Sequence, residues 1–117
     1  MDEIERNFVP PPGARRLNNY VRVYAFADQN RHVEAAYYAP VDGERYTLNE
    51  VCFDASKKPT PCGKSEYRRT ILKPGQRLWI NSSDNLPFAA GGGCAFLRIE
   101  YAVQTGKFEH SECNGPK

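Results

Sequence analysis

The chain has 117 residues, with 16 basic and 14 acidic side chains and a formal net charge of +2, so no concentrated basic stripe announces nucleic acid or an anionic membrane. Its length suits one domain whose modest core profits from covalent cross-links, and argues against two. Hydrophobic residues make up 40%, including seven Tyr and six Phe, as in a chain that packs, and no stretch approaches the ~18 apolar residues that cross a bilayer.

The opening MDEIERNFV is acidic where a secretory leader is basic and then apolar. An exported protein is therefore expected as a mature chain whose leader has been removed. A lipid anchor on such a precursor is compatible with the polar, proline-bearing start.

Residues 1–17 read as a tether, because Pro10, Pro11, Pro12 and Gly13 favour an extended, polyproline-like path. The folded unit is expected over 18–113, with a frayed tail at 114–117. From Tyr20 the pattern alternates, placing Val21, Val23, Ala25 and Ala27 on one face and Tyr20, Arg22, Tyr24 and Phe26 on the other, the period of a strand. Asp28 to Arg31 reads as a turn, and the run 32–38 returns as the second arm of a hairpin.

The run 45–53 is strand-like, but Tyr46 and Leu48 share one parity while Val51 and Phe53 share the other. That switch predicts a bulge near Asn49. Residues 54–65 read as a solvated loop with two prolines, a glycine and three lysines. The strand YRRTIL follows, and then Lys73-Pro74-Gly75-Gln76, whose Pro-Gly pair supplies the fixed φ and the positive φ of a type II turn.

After RLWIN, residues 82–93 form a second long loop ending in three glycines, and 94–103 make the strongest strand signal. Thr105 and Gly106 turn the chain into KFEHSEC. About seven short strands without a convincing helical period predict an all-β single domain, an antiparallel β-sandwich of immunoglobulin-like or related type.

Four cysteines in a small loop-rich β chain predict two disulfides rather than a metal centre. Local pairing is expected. Cys52 and Cys62 bracket the lysine-rich loop, a closure that contributes about 2–3 kcal/mol in the chain-entropy view. Cys94 and Cys113 flank the last hairpin, with Cys113 in a tail that folds back because hairpin register does not set the two opposite each other. The crossed pairings, Cys52 with Cys94 and Cys62 with Cys113, are the alternative. Zinc held by thiols is the competing use, since His110 and Cys113 have ligand-like spacing, but the close CxxC pair is missing. No metal and no other cofactor is expected.

Nothing in the sequence assembles a catalytic site. His32 and His110 sit in no nucleophile or acid-base motif, Ser82 and Ser83 lack a nucleophile elbow, and the glycine run precedes a strand rather than a helix that would cradle phosphate. A non-enzymatic binding role is the expectation. Tyr20, Arg22, Tyr24, Tyr37, Tyr38, Tyr67 and Arg68 form a tyrosine- and arginine-rich surface of the kind that anchors interfaces. Trp79 is either core or a stacking platform. Lys57 and Lys58 in the first loop, and Asp84, Asn85 and Phe88 in the second, complete the candidate contact set.

The favoured reading is a periplasmic or secreted module that binds a protein partner, of the inhibitor or immunity type that blocks a toxin or enzyme with its loops, with no nucleic-acid partner. A small-ligand or glycan binder using Trp79 and tyrosines is one alternative. A structural envelope component tethered by its N-terminus is another.

Overall fold

The computed structural model describes residues 2–40, 44–87 and 93–114. The fold is all-β with one short helix, α1 (Asp2–Asn7). Its strands are β1 (Val21–Ala27), β2 (His32–Tyr38), β3 (Tyr46–Phe53), β4 (Pro59–Thr60), β5 (Tyr67–Leu72), β6 (Arg77–Trp79), β7 (Phe96–Ala102) and β8 (Lys107–Cys113). They form a five-stranded sheet in the order β6-β1-β2-β7-β8 and a three-stranded sheet in the order β4-β3-β5.

The alternation in β1 gives both of its faces a core. Val21, Val23 and Ala25 pack with Leu48 of β3, Leu72 of β5 and Ile80, which joins the two sheets. Tyr20 and Tyr24 pack on the opposite side with Tyr37, Leu97, Ile99 and Tyr101. That second face is covered by the N-terminal segment: Ile4 is buried among these side chains, and Phe8, Ala14 and Leu17 lie against them. Phe8 meets Tyr37 and Phe108 edge-on, at ring centroid distances of 5.6 and 5.9 Å.

The N-terminal segment is therefore not an extended tether. Residues 2–7 are helical, and Pro11-Pro12-Gly13-Ala14 closes as a turn, with the Ala14 amide donating to the Pro11 carbonyl at 3.0 Å and Gly13 at φ +87°. Proline fixes the second position of such a turn and glycine takes the positive φ of the third. A Cβ on Gly13 would meet Cys94 Sγ at 3.0 Å, so the turn sits tightly on the disulfide beneath it.

An ionic network, buried at Arg22, largely buried at Glu5 and exposed at Asp2, fixes the helix to the sheet. Arg22 Nη1 donates to Glu5 Oε1 at 2.7 Å, and Arg22 Nη2 donates to the Gly75 carbonyl at 2.8 Å. The Tyr24 hydroxyl bonds Glu5 Oε2 and lies 2.6 Å from the Tyr37 hydroxyl. Arg77 Nη1 reaches Asp2 at 2.6 Å and Glu5 at 3.3 Å. Burial holds both tyrosine hydroxyls above their usual ionisation range, most strongly Tyr24.

The Lys73–Gln76 turn forms as the Pro-Gly pair dictates, with Gly75 at φ +93° and the Gln76 amide bonded to the Lys73 carbonyl at 3.0 Å. It carries the chain from the small sheet to the large one. There β6 pairs with β1 in parallel, Val23 opposite Leu78, the exception to an otherwise antiparallel arrangement.

No bulge forms at Asn49. The β3–β5 register runs without a step from Tyr46 opposite Leu72 to Val51 opposite Tyr67. Tyr46, Leu48 and Glu50 keep one parity, and the apolar switch read from the sequence reflects half-buried Val51 and Phe53 on the outer face, with a buried Glu50 inside. The irregularity falls instead between Glu100 and Tyr101, where β8 inserts Glu109.

All four cysteines are disulfide-bonded, as Cys52–Cys62 and Cys94–Cys113. This is the local pairing, and it leaves no thiol for zinc. The second bridge closes differently from the expected folded-back tail: β8 continues to Cys113 opposite Leu97, and Cys94 lies on a 3-10 turn, Gly93–Ala95, that curls back to it. Among the described residues, no helix is long and apolar enough to cross a membrane.

Candidate functional site

The loop after β6 is short of regular structure but firmly held. The Ser82 hydroxyl accepts the Asp84 amide at 3.2 Å, and the Leu86 amide bonds the Ser83 carbonyl at 3.1 Å, making a 3-10 turn over Ser83–Asn85. Serine and asparagine side chains suit this role because they satisfy nearby backbone groups. Asn85 then crosses to β3. Its Oδ1 accepts the Val51 amide at 2.8 Å, and its Nδ2 donates to the Val51 carbonyl at 2.9 Å. β4 pairs only with Cys52 and Phe53, so one carboxamide takes the place of a missing strand at Val51.

Ser83 and Asp84 form the wall between two recesses. On one side is a cleft of about 530 Å³ at the mouth of the space between the sheets, bounded by the β1–β2 turn, the end of β3 and the first-disulfide loop. Glu50, 6% exposed, lines it together with Phe26, Lys57, Arg68 and Asn81. Burying a glutamate is costly unless water or a polar or cationic group meets its carboxylate, and Arg68, opposite Glu50 in the β3–β5 register, lines the same cleft. On the other side is a groove of about 490 Å³ over β2, β7 and β8, lined by Glu34, Arg98, Glu100, His110 and Glu112.

The turn bordering the cleft is strained. Asp28, Gln29 and Asn30 have φ of 51°, 53° and 67°, and Lys57 across the cleft has φ 63°. Asp and Asn tolerate this left-handed region better than Gln or Lys do, and such strain gathers where surrounding structure over-determines a loop. Around Lys57 the cause is local: Asp54 Oδ1 accepts the amides of Ser56 and Lys58 at 2.8 and 3.0 Å, closing a tight hairpin in which Phe53 pairs with Pro59.

The structure brings together four of the candidate contact residues, Lys57, Arg68, Asp84 and Asn85, around the one cleft. Lys58 is exposed beside it, and Tyr67 is half-exposed on the outer face of the small sheet. Tyr20, Arg22 and Tyr24 do not form a surface: they and Tyr37 are buried beneath the N-terminal segment, where the Arg22 charge is matched by Glu5. Tyr38 is half-buried, edge-on to Tyr46. Trp79 is stacked on Phe26 at 4.8 Å and 14°, and tilted against Tyr24 at 5.5 Å, so its ring serves packing. Phe88 lies outside the described residues.

Sequence reasoning missed Glu50, and it read Asp28–Asn30 as a turn without assigning it to the contact set. The signal for Glu50 was present, since a carboxylate two residues beyond Leu48 in an unbroken strand must share the buried face. No family model, no curated protein and no solved structure matches the chain.

Proposed function

We propose that this protein is a non-enzymatic protein-binding module, exported to a periplasmic or extracellular compartment, that engages its partner with the loop 81–87 and the cleft beside it. The observation that carries this reading is the pinned loop. Asn85 ties it to β3 by two hydrogen bonds while Asp84 stands exposed between two recesses. A loop ordered before encounter loses little entropy on binding, which is how rigid inhibitory loops gain affinity. The buried Glu50 gives the cleft a reason to accept a basic or hydrogen-bonding group from the partner.

The two disulfides support the exported compartment, where such bonds persist. A blocking role of the inhibitor or immunity type fits a protruding wall flanked by recesses. The glycan alternative is disfavoured, because the half-buried Trp79 is already stacked on Phe26 and tilted against Tyr24. The tethered envelope component loses its extended arm, because residues 4, 8, 14 and 17 are packed on the sheet.

The test is affinity capture from secreted or periplasmic proteins of the source, using the disulfide-bonded chain as bait. Asp84→Arg and Lys57→Glu should abolish capture of a protein that Arg16→Glu, on the exposed N-terminal segment, still retains. Equal capture by all three variants would reject this loop face as the contact surface.

A further inference from the structure

The face of the five-stranded sheet left open by the small sheet carries a second arrangement, which borders the cleft at Asp28 and the groove at Glu100. His32 begins β2, Glu100 lies toward the end of β7, and Glu109 is the residue that β8 inserts opposite the Glu100–Tyr101 step. One donor atom from each lies within 4.8 Å of the other two. His32 Nε2 is 2.5 Å from Glu109 Oε1, and His32 Nδ1 is 3.4 Å from Asp28 Oδ2.

Three features set this apart from a chance gathering of acidic groups. The donors stand on three adjacent paired strands, so their spacing is fixed by the sheet rather than by loop flexibility. The bulge keeps both Glu109 and His110 on this face while returning Cys113 to the opposite one for its disulfide, and bulges recur where a side chain has to be re-aimed. The imidazole also has a polarity: one ring nitrogen faces the Asp28 carboxylate and the other faces Glu109. Metal-bound histidines are oriented in this manner, one nitrogen on the ion and the other on an outer carboxylate.

We infer that His32, Glu100 and Glu109 form a binding site for a divalent transition-metal ion, Zn²⁺ in the first instance, with Asp28 orienting the histidine. One imidazole nitrogen and two carboxylate oxygens without a thiolate suit zinc and its neighbours, and three protein ligands leave a fourth position for water. At zinc–ligand lengths of about 2.0–2.1 Å, tetrahedral donors stand about 3.3 Å apart. The His32–Glu109 pair therefore opens by less than about 1 Å to admit the ion, and the Glu109 side chain, 46% exposed, is free to swing by that amount. With every cysteine in a disulfide, no thiol competes for the metal.

The experiment is isothermal titration of the metal-free, disulfide-bonded protein with zinc chloride at neutral pH, paired with ¹H–¹⁵N spectra of the two imidazoles. The expected result is a single saturating site at which the His32 Nε2 resonance moves to the position of a metal-bound nitrogen. His32→Ala and Glu109→Gln should each remove the site, Asp28→Asn should weaken it about tenfold, and His110→Ala should leave it intact. Glu109 is exposed, so its variant decides the matter even if His32→Ala fails to fold. Absence of one-to-one saturation would overturn the inference. So would affinity unchanged in Glu109→Gln, or an ion that follows His110 instead.

Discussion

The two faces of the five-stranded sheet are built from the same strands but solve burial in opposite ways. One face is aromatic: Tyr20, Tyr24, Tyr37 and Tyr101 are buried, and their bulk and hydroxyl tips draw in α1, Glu5 and Arg22 as matching groups. The other is aliphatic and thin, with Val21, Val23 and Ala25 meeting Leu48, Leu72 and Ile80, and beyond that contact it lies open under Glu34, Arg98 and Glu100. Large amphipathic side chains commit a face to closure, because each polar tip needs a partner. Small aliphatic ones bury cheaply and leave room for clefts.

The sharpest way to break this contrast is through Glu5. Glu5→Ala leaves Arg22 buried without its counter-charge and removes an acceptor from Tyr24, so it should cost about 3–5 kcal/mol, measured as a fall in urea midpoint. A simple tether would show no change. The aliphatic side is stapled as well as packed. Replacing Cys52 and Cys62 together by serine should cost about 2–3 kcal/mol from a closed loop of this size. Because the staple acts on the first-disulfide loop, the same double variant should widen amide exchange around residues 52–62 while leaving β1 and β2 protected.

A subtler contrast appears under alkali. Tyr24 and Tyr37 have folded ionisation constants raised above the ordinary 10.0 by burial. A raised constant means that the folded state holds the proton more tightly than the unfolded chain. The stabilisation is complete below pH 10 and declines as pH climbs beyond it, by about 1.4 kcal/mol per tyrosine for each unit. Unfolding above pH 10 should therefore coincide with the appearance of tyrosinate at Tyr24 and Tyr37, rather than following a gradual titration of these two in the native protein. Gradual titration of both residues in a still-folded chain would show that the aromatic face is open to water.

Much of the framework could be read from residues alone. The bounds of β2, the parity of β1, the Pro-Gly turn and the local cysteine pairing all rest on short-range rules, and they hold. The misreadings share one cause. Alternation in β1 shows that Tyr24 and Val23 face apart, but not that one face meets water, and a sheet covered on both sides buries each set. Trp79 reads as core or platform for the same reason, although Ile80 is buried on one side and Trp79 lies half-buried against the aromatic cluster on the other.

The N-terminal segment escaped because six helical residues are too few to display a period, and because three prolines suggest extension until Gly13 turns the chain. In the site, the loop residues Lys57, Asp84 and Asn85 and the strand residue Arg68 all belong to the expected contact set, and they converge. The His32–Glu100–Glu109 grouping was beyond reach, since it depends on a strand register and a bulge that join residues 77 positions apart.

The parallel pairing of β6 with β1 has a consequence for how the chain reaches this state. Val23 finds Leu78 only after the whole small sheet has been traversed, and the cover over β1 also leans on Phe108 near the opposite terminus. Such distant partners raise the entropic cost of the first productive encounter and slow folding relative to a meander of hairpins. While the chain emerges from the ribosome in order, its tyrosine-bearing strands wait without their neighbours β6 and β7, exposed to wrong associations that the finished molecule never shows.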